Sequence, residues 1–366
     1  MILHLVHDEK IINRLISSFE EALPQNNLFI CFTKKPLKYV EKRDNVIVYN
    51  RKAQIDENLF ANVDKVLIHY LSLKKILFIE KFLKKDVKCY WFVWGTDIYN
   101  KLLASQGFPV YYEKQYLSKT IRFLLFLGKL HIYDYRSRRI LSFIKHRLDS
   151  VVSFCDYPLL KSYLDKENKS ELIEDFFYYP IEQILGEELL DKYASGNTIL
   201  LGNSASITNN HVYAFHHLSK VDIGDRQIVA PLNYVINDEY INHVISEGEA
   251  TFGKEKFHPL REFLPLQEYN KLMTSAEICV YGNWRQEAMG NITIALYLGS
   301  KVFMSNKSPL YKWFKSVGAI IFELETVRND SFQPLSQEEK EHNRNLMRSL
   351  FSKEKQIETI KKYWGN

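Results

Sequence analysis

The sequence predicts an α/β protein made of two doubly wound parallel sheets in tandem. Three observations predict it. Short apolar runs alternate with amphipathic stretches, that rhythm breaks once and restarts, and 366 residues exceed what one typical core holds. In the first half the strand-like runs are Ile2–Val6, 28–32, Val46–Tyr49, Lys65–His69, 89–94 and 150–155. They are rich in Val, Ile and aromatic residues, as strands buried on both faces are. Helical patterns lie between several of them, as at 11–23 and 71–83. The rhythm breaks near 176–196, where a proline follows an aromatic run and Ser-Gly-Asn follows a short helical stretch. It restarts with Thr198–Leu201, 227–230, 277–281, Lys301–Met304 and 319–322. The expected organisation is a first domain over 1–180, a second over 181–335 and a charged helical tail over 336–366 that packs back across a cleft.

Composition narrows the function classes. The chain is 46% hydrophobic and 25% charged, as globular proteins are. Its 14% aromatic share, 23 Tyr, 23 Phe and 5 Trp, suits cores, sugar sites and membrane-facing surfaces. A net charge of +5 is too mild to mark a nucleic-acid binder, and no nucleic-acid partner is expected. No apolar run approaches the roughly 18 residues of a membrane span. The opening MILHLVHDEKII lacks the basic and apolar regions of a signal peptide and reads as a first strand. Cys31, Cys89, Cys155 and Cys279 have no paired spacing and read as buried free thiols.

Ligands of doubly wound sheets bind beyond the carboxyl ends of strands, so residues just after strands carry the chemistry. Gly202-Asn203-Ser204 follows one strand and precedes a helical stretch over 209–218. A glycine lets backbone approach a ligand, Asn and Ser add polar side chains, and a helix N-terminus favours an anion. The same residues also fit a plain strand–helix turn. A proline-led helix over 264–273 leads into the next strand, whose loop carries Gly282, Arg285 and Gln286 before Gly290 and Asn291 open another helix, with Thr293 one turn in. A fixed guanidinium beside free helix N–H groups makes a diphosphate cradle that needs no metal, and a surface arginine with an Asn cap is the bland alternative. Pro231, Asn233 and Tyr234 are expected near the nucleotide base.

In the first half, Trp94-Gly95-Thr96-Asp97 ends a strand. Asp97 is a candidate base or acceptor ligand, or else the cap of a helix over 98–103, and Trp94 can stack on a sugar or fill the core. His7 and His69, at strand ends, are further catalytic candidates. The stretch 111–147 interleaves nine Lys or Arg, including Lys119, Arg122, Arg138 and Arg139, with apolar residues such as Phe126. It suits a helix on anionic lipid, or a core helix with a solvated basic face. No Walker, HExxH, GxSxG or Cys-His pattern occurs, the acidic pair Asp238-Glu239 lies in a helical stretch, and no metal or other cofactor is expected.

The segments VWGTDIY, ILLGNSASITNNH, PLNYVINDEYI, FLPLQEYNKLMTSAEICVYGNWRQEAMGNITIALYLGSKVFM and SPLYKWF, in this order, resemble the N-acetylfucosaminyltransferases of glycosyltransferase family 56. The resemblance covers most of the chain and is strongest over 198–314. It implies a GT-B glycosyltransferase, two Rossmann-like domains facing across a cleft. It also implies a dTDP-sugar donor and an undecaprenyl-diphosphate-linked saccharide acceptor, at the cytoplasmic face of the bacterial inner membrane. The expected activity is transfer of a deoxy-amino sugar in surface polysaccharide biosynthesis. A GT-B enzyme using a UDP-hexose or GDP-fucose, and a non-catalytic sugar or nucleotide binder, are the alternatives.

Overall fold

The computed structural model describes residues 1–50, 55–103, 107–129, 135–164, 171–233 and 237–365. The chain folds as two compact units. Met1–Phe108, Leu124–Tyr179 and Lys353–Asn366 form the first, and Pro109–Phe123 with Pro180–Ser352 forms the second.

The first unit is a seven-stranded sheet wrapped by helices. In chain order it contains β1 (Ile2–Val6), α1 (Ile12–Ala22), β2 (Asn27–Phe32), β3 (Val46–Tyr49), β4 (Lys65–His69), α2 (Leu73–Phe82), β5 (Lys88–Phe92) and a single turn α3 (Thr96–Ile98). Helix α4 (Lys119–Lys129) begins in the second unit's segment and ends in the first's. Then come α5 (Tyr135–His146), β6 (Ser150–Val152), α6 (Asp156–Leu164) and β7 (Glu171–Ile173). The strand order is β3-β2-β1-β4-β5-β6-β7, and every pairing is parallel. Parallel strands need crossover connections, and the helices between them bury both sheet faces.

The second unit opens with α7 (Ile181–Leu185) and continues through β8 (Thr198–Leu201), α8 (His211–Leu218), β9 (Gln227–Pro231), α9 (Asp238–Phe252) and β10 (Phe257–Leu260). It goes on with α10 (Leu266–Ser275), β11 (Ile278–Tyr281), α11 (Met289–Tyr297), β12 (Lys301–Met304), α12 (Pro309–Ser316), β13 (Phe322–Glu323) and α13 (Gln337–Phe351). Its order, β10-β9-β8-β11-β12-β13, is again wholly parallel. Asp238 and Glu239 occupy the first turn of α9, where acidic residues suit the helix dipole. The four cysteines are buried and unbridged.

Three expectations are corrected. The helix expected over 98–103 is α3 followed by a π-turn, and its N-cap is Gly95, not Asp97. Strands β7 and β10 were not foreseen. Both are sheet edges, half exposed, so neither shows a continuous apolar run, and Pro259 sits inside β10, a position an edge tolerates. The tail is two helices that part at Ser352. α13 packs on α11 in the second unit, whereas α14 (Lys353–Trp364) packs on α1 in the first. The cause is an apolar stripe: Trp364 reaches Phe19, Phe92 and Phe176 at ring separations of 5.6, 5.3 and 5.6 Å.

Candidate active site

In the second unit the winding reverses between β8 and β11, so the loops that leave these neighbouring strands flank the switch point. They are the two loops singled out in the sequence. Gly202, at φ +74, leaves β8 and donates its N–H to the carbonyl of Val280, 2.9 Å away. Asn209 Oδ1 accepts the Asn203 N–H at 2.9 Å, and its Nδ2 reaches Ser204 Oγ at 3.2 Å. Asn210, left-handed at φ 50, donates through Nδ2 to the carbonyl of Gly282 at 3.3 Å and so ties the first loop to the second. A Cβ on Gly202 would lie 2.9 Å from Asn209 Oδ1 and 3.0 Å from His211 Nε2.

The second loop is organised by Glu287, which the sequence reading left without a role. Its Oε2 accepts from Thr208 Oγ1 at 2.5 Å, Asn283 Nδ2 at 3.0 Å and Arg285 Nε at 3.2 Å. Arg285 is therefore held by an ion pair in a mostly buried place. Ala288 then adopts φ 64 and delivers the chain into α11, whose first turn contains Gly290 and Asn291, both half-buried. Gln286 is half-buried and Thr293 fully buried. Pro231 ends β9. Asn233 is used structurally, its Nδ2 donating to Glu262 O at 2.7 Å and its carbonyl accepting the Ala205 N–H at 3.0 Å. Tyr234 lies outside the described residues. Among the described residues, Asn203 Oδ1, Asn283 Oδ1 and His211 Nε2 are buried with no hydrogen-bond partner. Such atoms cost free energy unless something meets them. Burial lowers the pKa of His211 to about 4, so its imidazole is neutral, and Nδ1 meets the Tyr240 hydroxyl at 3.0 Å.

The first unit has its own switch point, between β1 and β4. There a pocket of about 550 Å³ is lined by His7, Asp8, Glu9, Phe32, Thr33, Lys35, Pro36, Lys38, Tyr39, Tyr70, Trp94 and Thr96. Asp8 staples the β2–β3 loop beside it, accepting the N–H groups of Lys38, Val40 and Tyr39 at 2.6, 2.8 and 2.9 Å. His7 Nδ1 lies 3.3 Å from the carbonyl of Phe32. Donation from Nδ1 to that oxygen leaves Nε2 with a lone pair, the tautomer a general base needs. Burial, reinforced by Lys75, lowers the His7 pKa to about 4, so the ring is neutral at pH 7. Trp94 lines the same pocket and donates its indole N–H to Tyr178 Oη at 2.8 Å.

The structure gives Asp97 and His69 other duties than the catalytic ones expected. Asp97 is buried, and its carboxylate accepts the Trp91 indole N–H at 2.8 Å and the backbone N–H groups of Leu71 and Trp94 at 3.0 and 3.1 Å. It binds β4, β5 and their following loops together. His69 is fully buried, with Nδ1 on Tyr178 Oη at 2.6 Å and Nε2 on His4 Nδ1 at 3.2 Å, so both ring nitrogens are used inside the sheet. Besides Glu287, sequence reasoning missed Lys75, which is fully buried. Its spacing from Ile79 and Phe82 on α2, and from Leu71 just before it, puts it on the core-facing stripe, the signal that was available.

Helix α4 exposes Ile121, Phe123, Leu124 and Phe126 beside the exposed Lys119 and Arg122. Arg138 on α5 is exposed, whereas Arg139 pairs with Glu80 of α2. No helix among the described residues is long and apolar enough to cross a membrane.

Among solved structures the chain is similar to sucrose-phosphate synthase from Thermosynechococcus elongatus, at 11% identity and a TM-score of 0.61, covering 100% of this chain and 98% of that one. It is equally similar to Anabaena HepE in complex with UDP and glucose, at 10% identity and a TM-score of 0.61 over 100% and 99% of the chains. A glycosyltransferase from Rickettsia africae matches at 14% identity and a TM-score of 0.60 over 99% and 96%. At these identities the likeness shows the fold, α/β of the GT-B kind with two Rossmann-like domains. The family model described as 4-alpha-L-fucosyltransferase, glycosyl transferase group 56, matches residues 71–345, well over half of the chain and both switch-point loops of the second unit. The chain therefore belongs to glycosyl transferase group 56, the 4-alpha-L-fucosyltransferase family, and is a glycosyltransferase.

Proposed function

We propose that this enzyme moves a deoxy-amino sugar, N-acetylfucosamine, from a dTDP-sugar to an undecaprenyl-diphosphate-linked saccharide in bacterial surface polysaccharide biosynthesis. The family match supports the class of sugar, and the two loops of the second unit support a diphosphate donor. The observation that carries the donor site is the juncture of Gly202–Ser204 with the Arg285–Ala288 turn at neighbouring strand ends, leading into the N-terminus of α11. Backbone N–H groups and one guanidinium there suit a leaving diphosphate, and no metal is required of such a cradle. The acceptor is assigned to the pocket of the first unit, whose aromatic walls, Tyr39, Tyr70 and Trp94, suit sugar faces. His7 Nε2 takes the proton of the acceptor hydroxyl as its oxygen bonds to the anomeric carbon. The bond from that carbon to the diphosphate breaks, and the electron pair leaves with the diphosphate. The exposed apolar and basic face of α4 supports a peripheral seat on the anionic inner face of the membrane.

The test is nucleotide binding by calorimetry, with dTDP, UDP and GDP in parallel. dTDP should bind tightest, and Arg285→Ala should weaken it more than tenfold, about the 1.4 kcal/mol of one charged contact. Preference for UDP or GDP overturns the donor, and an unaltered affinity in Arg285→Ala overturns the cradle.

A further inference from the structure

A lysine with no access to water sits beside the pocket of the first unit and has no part in the reaction derived above. Lys75 is 0% exposed, one turn into α2. Its ammonium donates to the carbonyl of His69 and, at 3.2 Å, to that of Tyr70. These are the last residue of β4 and the one after it. Asp97 takes the N–H of the next residue, Leu71, at 3.0 Å. A buried cation and a buried carboxylate thus hold opposite polar groups of one turn, and the turn forces Tyr70 to φ 69, a conformation that costs a bulky residue of order 1–3 kcal/mol. The ring of Tyr70 then stands edge-on to His7 at 5.5 Å. Burying both charges is expensive, and a core of plain apolar residues would avoid that cost. Burial drives the lysine well below its ordinary range, with Asp97 and Cys31 opposing. Burial pushes Asp97 up as well, and the three N–H bonds it accepts pull it back towards the anion, as the two carbonyls that accept from Lys75 favour its charged form.

We propose that Lys75 is a positioning residue for His7: it fixes the Tyr70 turn against the imidazole and, as an unscreened cation, keeps that imidazole unprotonated and ready to accept a proton. The proposal rests on the reading of His7 as the base. The other charged or titratable groups that face His7 are Asp8 and Glu9 on its own loop and Lys35, Lys38 and Tyr39 on the β2–β3 loop. Tyr70 comes from the turn after β4 and Lys74 from the start of α2. Asp8 is held by three backbone N–H groups, and Lys74 is exposed. Lys75 alone among these cations is fully buried, where its field is least screened. A neighbouring cation lowers the pKa of histidine, so removing it must raise that pKa.

The experiment is an NMR titration of His7 in the full chain, with the pH profile of kcat/KM as a second reading once a donor and acceptor pair turns over. Lys75→Gln keeps amide donors for the two carbonyls and removes the charge. It should raise the His7 pKa by roughly half a unit or more and carry the acid limb of the rate profile up with it. Lys74→Gln, an exposed control, should move both far less. In wild-type protein the His7 pKa should hold steady between low and high salt, because salt screens exposed lysines and not a buried one. This arm does not depend on any variant folding. Equal shifts from the two variants, no shift from Lys75→Gln, or a strong rise of the wild-type pKa with salt each overturn the proposal. An acid limb that survives in His7→Gln overturns the base reading instead, and the His7 titration then still decides what Lys75 does to that ring.

Discussion

Four described residues other than glycine adopt positive φ: Gln25, Tyr70, Asn210 and Ala288. Three of the four stand at switch-point loops, Tyr70 after β4, Asn210 after β8 and Ala288 after β11. Backbone strain of this kind persists only where the surroundings impose it, and binding sites are where it collects. Gly282 shows how tightly the donor loops are imposed on each other. A Cβ there would lie 2.8 Å from the carbonyl oxygen of Asn209 and 2.9 Å from that of Asn210, and both are backbone atoms with no rotamer to yield. Gly282→Ala is expected to destabilise the second unit by about 1–3 kcal/mol and to weaken dTDP binding as the loops part. Thermal melting with and without nucleotide checks both, and a variant with unchanged melting and affinity would show that the loops have slack. At this scale the sequence was readable where a residue announces its own chemistry. Gly202 and Arg285 could be picked out because glycine and arginine after strands have few uses. Glu287 could not, because nothing in the loop's sequence marks its carboxylate as the group that gathers Asn283 and Arg285, and its third partner, Thr208, reaches it only through the fold. Asp97 misled for the same reason. A carboxylate after a strand suggests a base until Trp91, Trp94 and Leu71 are seen to occupy it.

Elements were legible in proportion to how fully they are buried. The central strands β1, β4, β8 and β11 are mostly apolar and almost wholly buried, and their runs stood out, whereas the edge strands β7 and β10 are partly exposed and did not. Helix α4 is the opposite case. Its apolar residues were visible, but sequence alone left open whether they faced a core. Phe123 and Phe126 are more than half exposed, at 58% and 57%. A helix that leaves such rings in water beside Lys119 and Arg122 is built for a surface that takes both rings and charge. Purified protein should sediment with vesicles containing phosphatidylglycerol, less so with neutral vesicles, and less as salt rises. Phe126→Glu should cut the bound fraction at least tenfold, since burying one phenylalanine is worth about 1.5–3 kcal/mol. Binding that ignores salt, lipid charge and this substitution would assign the face to another partner.

The chain's last helix is part of its first unit. α14 follows directly on α13, and from the sequence the two read as one charged tail. The periodicity of Ile357, Ile360 and Trp364 within that charge was the clue to a buried stripe. It was weak because lysines and glutamates fill the rest of the helix. Trp364 is 1% exposed among Phe19, Tyr90, Phe92 and Phe176, and its backbone carbonyl accepts from Lys65 Nζ at 3.2 Å. Gln356 adds a hydrogen bond of 2.7 Å to the carbonyl of Phe177, and Lys362 and Tyr363 meet the carboxylate of Asp175 at 3.2 and 2.9 Å. The core of the first unit is thus closed by a helix more than 170 residues further along the chain than β7, and its stability depends on that helix. Trp364→Ala removes a large buried ring from the centre of that aromatic cluster and should cost the first unit about 3–5 kcal/mol. The second unit keeps α13 and all six of its strands, so its unfolding should stay where it was. Hydrogen exchange followed by mass spectrometry separates the two: amides of β1, β4 and β5 should lose protection in the variant while those of β8 and β11 keep theirs. Equal loss in both sheets would mean that the units unfold as one, and no loss in either would mean that the C-terminal helix is an appendage rather than a wall of the first core.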